Sequence, residues 1–272
     1  MQQQHDHPPG AGFVEDRAAA AARVEQLLGY SFRDPALLED ALTHSVLCPR
    51  DAAAAAAVRL KYERLEFLGD AALGLAFSTL FYLEDPSLDE GELSLLRDAN
   101  VSTQKLGRVA VRHELYQLLR RDNCAPLDQD VSRFFVSVRG PYSGDPIEAP
   151  KVLADIVETI IGAVYLDSKF DLELIQKVAK LLCEPIITKK ALLEDPEPML
   201  NELRGKHRVD LERSILGWRK VANVVTNGEL VGNAAQDAVN NLMVGGREQA
   251  STAGVGMQDE VGELRTIRLE EA

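Results

Sequence analysis

Three cysteines in 272 residues, at Cys48, Cys124 and Cys183, are too few and too scattered for a disulfide framework. None stands in a Cys-x-x-Cys pair or beside a histidine cluster. That argues against a zinc site and fits a reducing compartment. Basic charge is also scarce: 30 Lys and Arg against 43 Asp and Glu leave a net charge of -13 at pH 7. A chain this acidic repels phosphate at long range, so any binding of nucleic acid has to rest on local sites and not on overall charge. No apolar stretch long enough to cross a bilayer runs free of charge interruption. The stretch from Met1 to Pro9 lacks the basic n-region and apolar core of a secretory signal, and the Arg-rich, acid-poor character of a transit peptide. The expectation is an intracellular protein, nuclear or cytoplasmic, with no membrane partner.

What the sequence does hold is helical periodicity. A chain of this length has room for one sizeable core and a small second domain. Residues 1–17, rich in Gln, His, Pro and Gly, read as a disordered tail. Ala18–Leu28 is a predicted helix stopped by Gly29. Asp34 before Pro35 marks a helix start, an N-cap oxygen followed by a ring pre-set for the first turn. Leu37, Leu38, Ala41, Leu42 and Val46 follow at helical spacing. The alanine run Ala52–Ala57 is expected to be a loop or a helix extension without chemistry. A long apolar helix is predicted over Tyr62–Leu83, with Asp89 and Glu92 able to form a capping box for the next. Helical patterns continue over Ser102–Leu119, Val131–Val138, Lys151–Leu166 and Asp171–Leu182. Strand alternation is absent, so residues 18–190 read as all-α.

Beyond Glu194-Asp195-Pro196-Glu197-Pro198 the character changes. A helix over Met199–His207 leads to β-prone segments, Trp218–Thr226 and Leu230–Val231, joined by an Asn227-Gly228 hairpin signal. A last helix is predicted over Ala234–Met243. The fold class expected is therefore mainly α, with a small α/β module over residues 195–244 and an acidic tail over 245–272.

The chemistry concentrates in two places. In Glu63-Arg64-Leu65-Glu66-Phe67-Leu68-Gly69-Asp70, the three carboxylates Glu63, Glu66 and Asp70 fall within about 60° of one helix face. The segment that follows, with Leu73, Leu75, Phe77, Leu80 and Phe81, is apolar nearly all round, which predicts a buried helix. The second helix carries Asp155 and Glu158 one turn apart inside an otherwise core-like run. Buried unpaired carboxylates are costly, so they need a cation or must take up protons. An oxygen-only ligand set suits Mg²⁺ or Mn²⁺ and not zinc. His44 reads as a hydrogen-bonded structural residue, and His113 and His207 as non-catalytic.

At these residues the chain resembles the ribonuclease III family. The Glu63–Asp70 octet matches that family's signature without a gap. In order around it come Gly29-Tyr30-Ser31-Phe32, Ala41-Leu42-Thr43-His44, Asp89-Glu90-Gly91-Glu92-Leu93-Ser94 and Leu153-Ala154-Asp155-Ile156-Val157-Glu158. The resemblance runs from about Ala21 to Ile187. The stretch between Arg120 and Lys151 is more similar to plant ribonuclease III-like and Dicer catalytic domains than to the bacterial enzyme. The resemblance implies an all-helical endonuclease domain over residues 18–190, cleaving double-stranded RNA with Mg²⁺, for which Mn²⁺ can substitute. It implies Glu66, Asp70, Asp155 and Glu158 as metal ligands, and Glu63 at the RNA or in the metal's outer shell. It further implies Lys151 steadying a phosphate, Gly69 at a close approach, and Phe67 and Leu68 in the seam of a homodimer. The products would carry 5′-phosphate and 3′-hydroxyl ends with a short 3′ overhang.

Residues 195–244 resemble a double-stranded-RNA-binding domain that has lost part of itself. Pro198–His207 matches its first helix and Asn233–Leu242 its last, but Gly232 runs directly into Asn233 where the lysine-rich, phosphate-binding segment belongs. This truncation predicts weak RNA affinity for the module. It leaves open an alternative, a catalytically weak or inactive ribonuclease III-fold protein that binds structured RNA or a ribonucleoprotein partner.

Overall fold

The structure is a computed structural model and describes residues 16–44, 52–121, 125–139, 147–203 and 205–226. Several of its helices begin where a side-chain oxygen accepts from a free backbone N–H. Asp16 starts α1 (Arg17–Leu28), which ends at Gly29 in the left-handed region, φ 60°. Asp34, with Pro35 at the first position, starts α2 (Pro35–Ala41). After α3 (Ala52–Glu84) comes α4 (Glu90–Val101), opened by a full capping box between Asp89 and Glu92. Ser102 caps α5 (Thr103–Arg112), which is followed by the short α6 (Leu115–Leu118) and by α7 (Ala125–Arg139). Then come α8 (Lys151–Asp167), α9 (Leu172–Cys183), capped by Asp171, and α10 (Lys189–Glu194), capped by Thr188. The last two are α11 (Pro196–Leu200) and α12 (Gly205–Thr226).

The alanine run is helical and forms the first turns of α3, as expected from alanine's low cost in a helix. The helix predicted over Ser102–Leu119 is interrupted at Glu114. Its backbone enters the left-handed region, φ 58°, while its carboxylate pairs with Arg23 and Arg139. The periodicity expected through Val46 stops at Ala41, because the chain beyond it pairs with a different segment. The N–H of His44 donates to the Arg120 carbonyl, and that of Arg120 to the Leu42 carbonyl, at 2.9 and 2.7 Å. This gives one isolated parallel bridge and no strand among the described residues.

Two expectations are corrected. Trp218–Thr226, predicted as a strand, is the end of α12. The helix predicted over Met199–His207 is instead two, parted between Asn201 and Gly205. The Asn227-Gly228 turn, the Leu230–Val231 strand, the Ala234–Met243 helix and the acidic tail lie outside the described residues, as does the tail before Asp16.

The chain divides into two compact units, residues 1–218 and 219–272. Of the second, the described part is the end of α12. In the first, α8 is the central helix: thirteen of its seventeen residues are buried, and it packs against α2, α3, α5, α6 and α9. An almost wholly apolar helix in such a position is what the hydrophobic effect requires. Leu200, Leu203, Leu211 and Ile215 join the same core. They are secured by the buried ammonium of Lys105, which donates to the Pro185 carbonyl at 2.6 Å and reaches Glu202 at 3.3 Å.

Helix α3 differs from the buried rod the sequence predicted. Around its axis, Tyr62, Leu65, Gly69, Leu73, Ala76 and Leu80 form the buried face. Leu60, Phe67, Leu75 and Tyr82, within about 80° of one another on a different side, are exposed. By length and composition alone α3 is also apolar enough to cross a membrane; its apolar surface is divided between the core and this outer stripe.

The crossing of α3 and α8 is built on two glycines. A Cβ on Gly69 would lie 1.8 Å from the Glu158 carbonyl oxygen, and one on Gly162 would lie 2.2 Å from that of Leu65. The two backbones are thus in direct contact. Gly162→Ala is expected to cost about 1–3 kcal/mol or more through forced separation of the helices, read as a lowered denaturant midpoint. Gly217→Ala, where an added Cβ meets nothing within 4 Å, should stabilise by about 0.5–1 kcal/mol. Equal effects at the two sites would contradict the close-contact account.

Candidate active site

The glycine contact fixes which side chains meet. Glu66 lies one turn before Gly69 on α3, while Asp155 and Glu158 lie one to two turns before Gly162 on α8. One carboxylate oxygen from each of the three falls within 4.8 Å of the others. Lys151, the first residue of α8, closes the group: its ammonium donates to Glu66 Oε1 at 2.5 Å and to Asp155 Oδ1 at 2.6 Å. Side-chain exposure is 69% for Lys151, 23% for Glu66 and 11% for Asp155. The charges therefore sit at a rim, half out of the core.

The other acids expected at the site stand further out. Asp70 is exposed on α3 and outside the three-carboxylate group, yet close enough for its charge to act on Glu158. Glu63 too lies outside the three-carboxylate group. Its side chain is 51% exposed and pairs with Arg59, one turn earlier on α3, at 3.3 Å.

The electrostatics follow from burial and from the count of charges. Burial comes first in raising the Glu158 carboxyl to about 7, with the charges of Asp155, Asp70 and Glu66 adding to it. Asp155 is raised by burial as well, and Lys151 opposes that shift. Lys151 is itself held protonated by its two carboxylates, against the effect of its own burial. A single ammonium facing three carboxylates leaves the group short of positive charge.

Two residues give the site its backing. Tyr62, immediately before the octet, is fully buried, and burial together with the Asp155 charge keeps its hydroxyl protonated. Its ring meets that of His44 edge-on at 5.1 Å. His44 is buried, and burial followed by the Arg121 charge pushes its pKa down. Sequence reasoning gave His44 a structural place but missed Tyr62; a large aromatic at the buried i−4 position to Glu66 was the available signal. His113 donates from Nε2 to the Leu182 carbonyl at 2.9 Å and ties α5 to α9. His207 lies on α12.

The donor set fits a hard divalent cation. Oxygens on opposite sides of Mg²⁺ stand about 4.2 Å apart, so carboxylate oxygens within 4.8 Å need only small side-chain rotations to share one. A thiol or imidazole, which zinc would favour, is absent from the group.

The match to known proteins bears on the same residues. The Ribonuclease III domain model matches residues 63–169, from the first acid of the octet past the end of α8. Ribonuclease 3-like protein 1 of Oryza sativa subsp. japonica is 66% identical over 278 residues, covering 100% of both chains. The chain belongs to the ribonuclease III family. Ribonuclease 3-like protein 2 of the same organism is 50% identical, over 96% of this chain and 87% of its own length. Endoribonuclease Dicer homolog 1 of Arabidopsis thaliana is 36% identical over 78% of this chain, which corresponds to 11% of that protein. The ribonuclease III domain carries with it an expectation of divalent-metal dependence, and the acidic group on α3 and α8 is present to meet it.

In this ribonuclease III domain the raised Glu158 links the site to stability. Its carboxyl moves from 4.5 in the reference state to about 7 in the fold. Between these values the folded protein holds a proton that the unfolded chain has lost, so metal-free stability falls as pH rises through the window. Glu158→Gln, which carries no charge, should therefore melt above the wild type at pH 8 in a chelator, with the advantage shrinking towards pH 4.5. An advantage that does not change with pH would refute the assignment.

Proposed function

We propose that this ribonuclease III family protein is a divalent-metal-dependent endonuclease that cuts double-stranded RNA. The observation that carries the reading is the meeting of Glu66, Asp155 and Glu158 across the α3–α8 crossing, with Lys151 as their only cation among the described residues. Glu66, Asp155 and Glu158 would hold Mg²⁺, or Mn²⁺ in its place, with Asp70 beside them. When bound, such an ion supplies an activated water and neutralises charge at the scissile phosphate, giving 5′-phosphate and 3′-hydroxyl ends. The protein's part is to keep the carboxylates converged and to release the Glu158 proton as the cation enters. Lys151, on the exposed side of the group, is placed to steady a phosphate. Glu63, paired with Arg59, belongs to the outer surface, where RNA would run.

The acidic chain makes this a local recognition event, set against an unfavourable long-range field. The proposed double-stranded-RNA-binding module contributes little to the case, since Trp218–Thr226, expected as a strand of it, is helical. The test is incubation of the purified protein with long double-stranded RNA and Mg²⁺, beside a Glu66→Ala, Asp70→Ala variant and an EDTA control. Cleavage to short duplexes bearing 5′-phosphates, lost in both controls, is the expected result. RNA binding without cleavage by the folded protein would favour the inactive, structured-RNA-binding reading.

The outer stripe of α3 supports pairing of two such domains. Phe67 is 79% exposed, and Leu60, Leu75 and Tyr82 extend the apolar surface along about 33 Å of helix. An apolar stripe of that length is the mark of an association surface. A homodimer formed there would bring together two sites, each cutting one strand, which produces the short 3′ overhang. Phe67→Asp is expected to convert a dimer to a monomer in sedimentation velocity; an unchanged dimer would place the seam elsewhere.

A further inference from the structure

Lys151 occupies a poor place in its own helix. It is the first residue of α8, preceded by Pro150 without a side-chain cap. Free N–H groups and the helix dipole there favour negative charge. Its partner within the helix, Asp155, follows it at i+4, the weaker order for a salt bridge. Its position is offset by what the tertiary structure adds: the ammonium reaches Glu66 on α3 as well as Asp155, at 2.5 and 2.6 Å. The lysine thus holds two of the three carboxylates that converge for a cation. It does so from the solvent side, with 69% of its side chain exposed, so the ammonium can leave by rotation of its own stem without any movement of α8.

An ammonium and a divalent ion compete for Glu66 and Asp155, because like charges a few ångströms apart repel each other at a partly buried site. We infer that Lys151 is an exchangeable internal cation: it neutralises the carboxylate group while metal is absent, must be displaced for a divalent ion to enter, and so sets the affinity of the site. Once displaced, it stands at the mouth of the group as a free positive charge. Metal entry then prepares the place where a phosphate would arrive. This inference rests on the metal-site reading above and assigns Lys151 a part in metal binding that needs no RNA.

The test is Mn²⁺ binding to the full chain in the absence of RNA. The free ion is followed by electron paramagnetic resonance, and thermal midpoints are measured with and without Mn²⁺. The variants are Lys151→Met and Lys151→Gln, both neutral, and Lys151→Arg, which keeps the charge. The neutral variants are expected to bind Mn²⁺ at least about tenfold more tightly than the wild type, with the Arg variant close to wild type. Without metal, the neutral variants should melt below the wild type, and saturating Mn²⁺ should raise their midpoints by more. Equal or weaker Mn²⁺ binding by either folded neutral variant overturns the inference and leaves Lys151 a contact for RNA alone. Failure of every form to bind Mn²⁺ would overturn the metal-site reading itself, and this inference with it.

Discussion

The contact between the α3 and α8 backbones at Gly69 and Gly162 is the constraint on which the rest of the structure depends. Ordinary helix pairs stand 8–10 Å apart because side chains separate them. Here each glycine faces a carbonyl of the opposite helix at a distance where no Cβ fits. Close approach has two consequences. It lets α8 sit deep enough to be enclosed by five other helices. It also shortens the gap between Glu66 and the Asp155–Glu158 pair until their oxygens can share a ligand. Stability and site geometry are therefore set by the same contact.

That arrangement places carboxylates where a fold would ordinarily not put them. Asp155 is buried, and Glu158 is raised to about 7 by burial and by its acidic neighbours. The metal-free protein tolerates the group by two means: one carboxyl retains its proton more readily, and one ammonium from the same helix is drawn over the others. Both are incomplete, and a divalent cation in their place would complete the neutralisation. The electrostatic frustration and the proposed function are in this sense the same feature.

Helix α3 serves three masters at once. Its buried face carries Leu65, Leu73 and Leu80 into the core, its rim carries Glu66 and Asp70, and its outer side exposes Phe67 and Tyr82. A 33-residue helix is long enough to divide its surface in this way. The proximity of rim to outer stripe means that a partner seated on the stripe would also border the carboxylates. Under the proposed pairing an acidic chain would gain from that arrangement, since two sites on one RNA would compensate for the weak attraction each surface offers.

Much was legible in the residues alone, because it is local. Caps at Asp34 and Asp89 are decided within three or four residues. The 3.6-residue periodicity of α8 and α9 likewise needs no distant partner. The carboxylates of the octet and of α8 stood out as polar residues in apolar runs, and the resemblance to the ribonuclease III family joined them into one site. Tertiary structure decided what depends on distant contact. It stopped α2 at Ala41 by pairing the next residues with Arg120 and left one side of α3 bare. Above all it drew Lys151 onto Glu66, 85 residues away in the chain, a pairing that no spacing encodes because only the glycine crossing brings the two helices within reach.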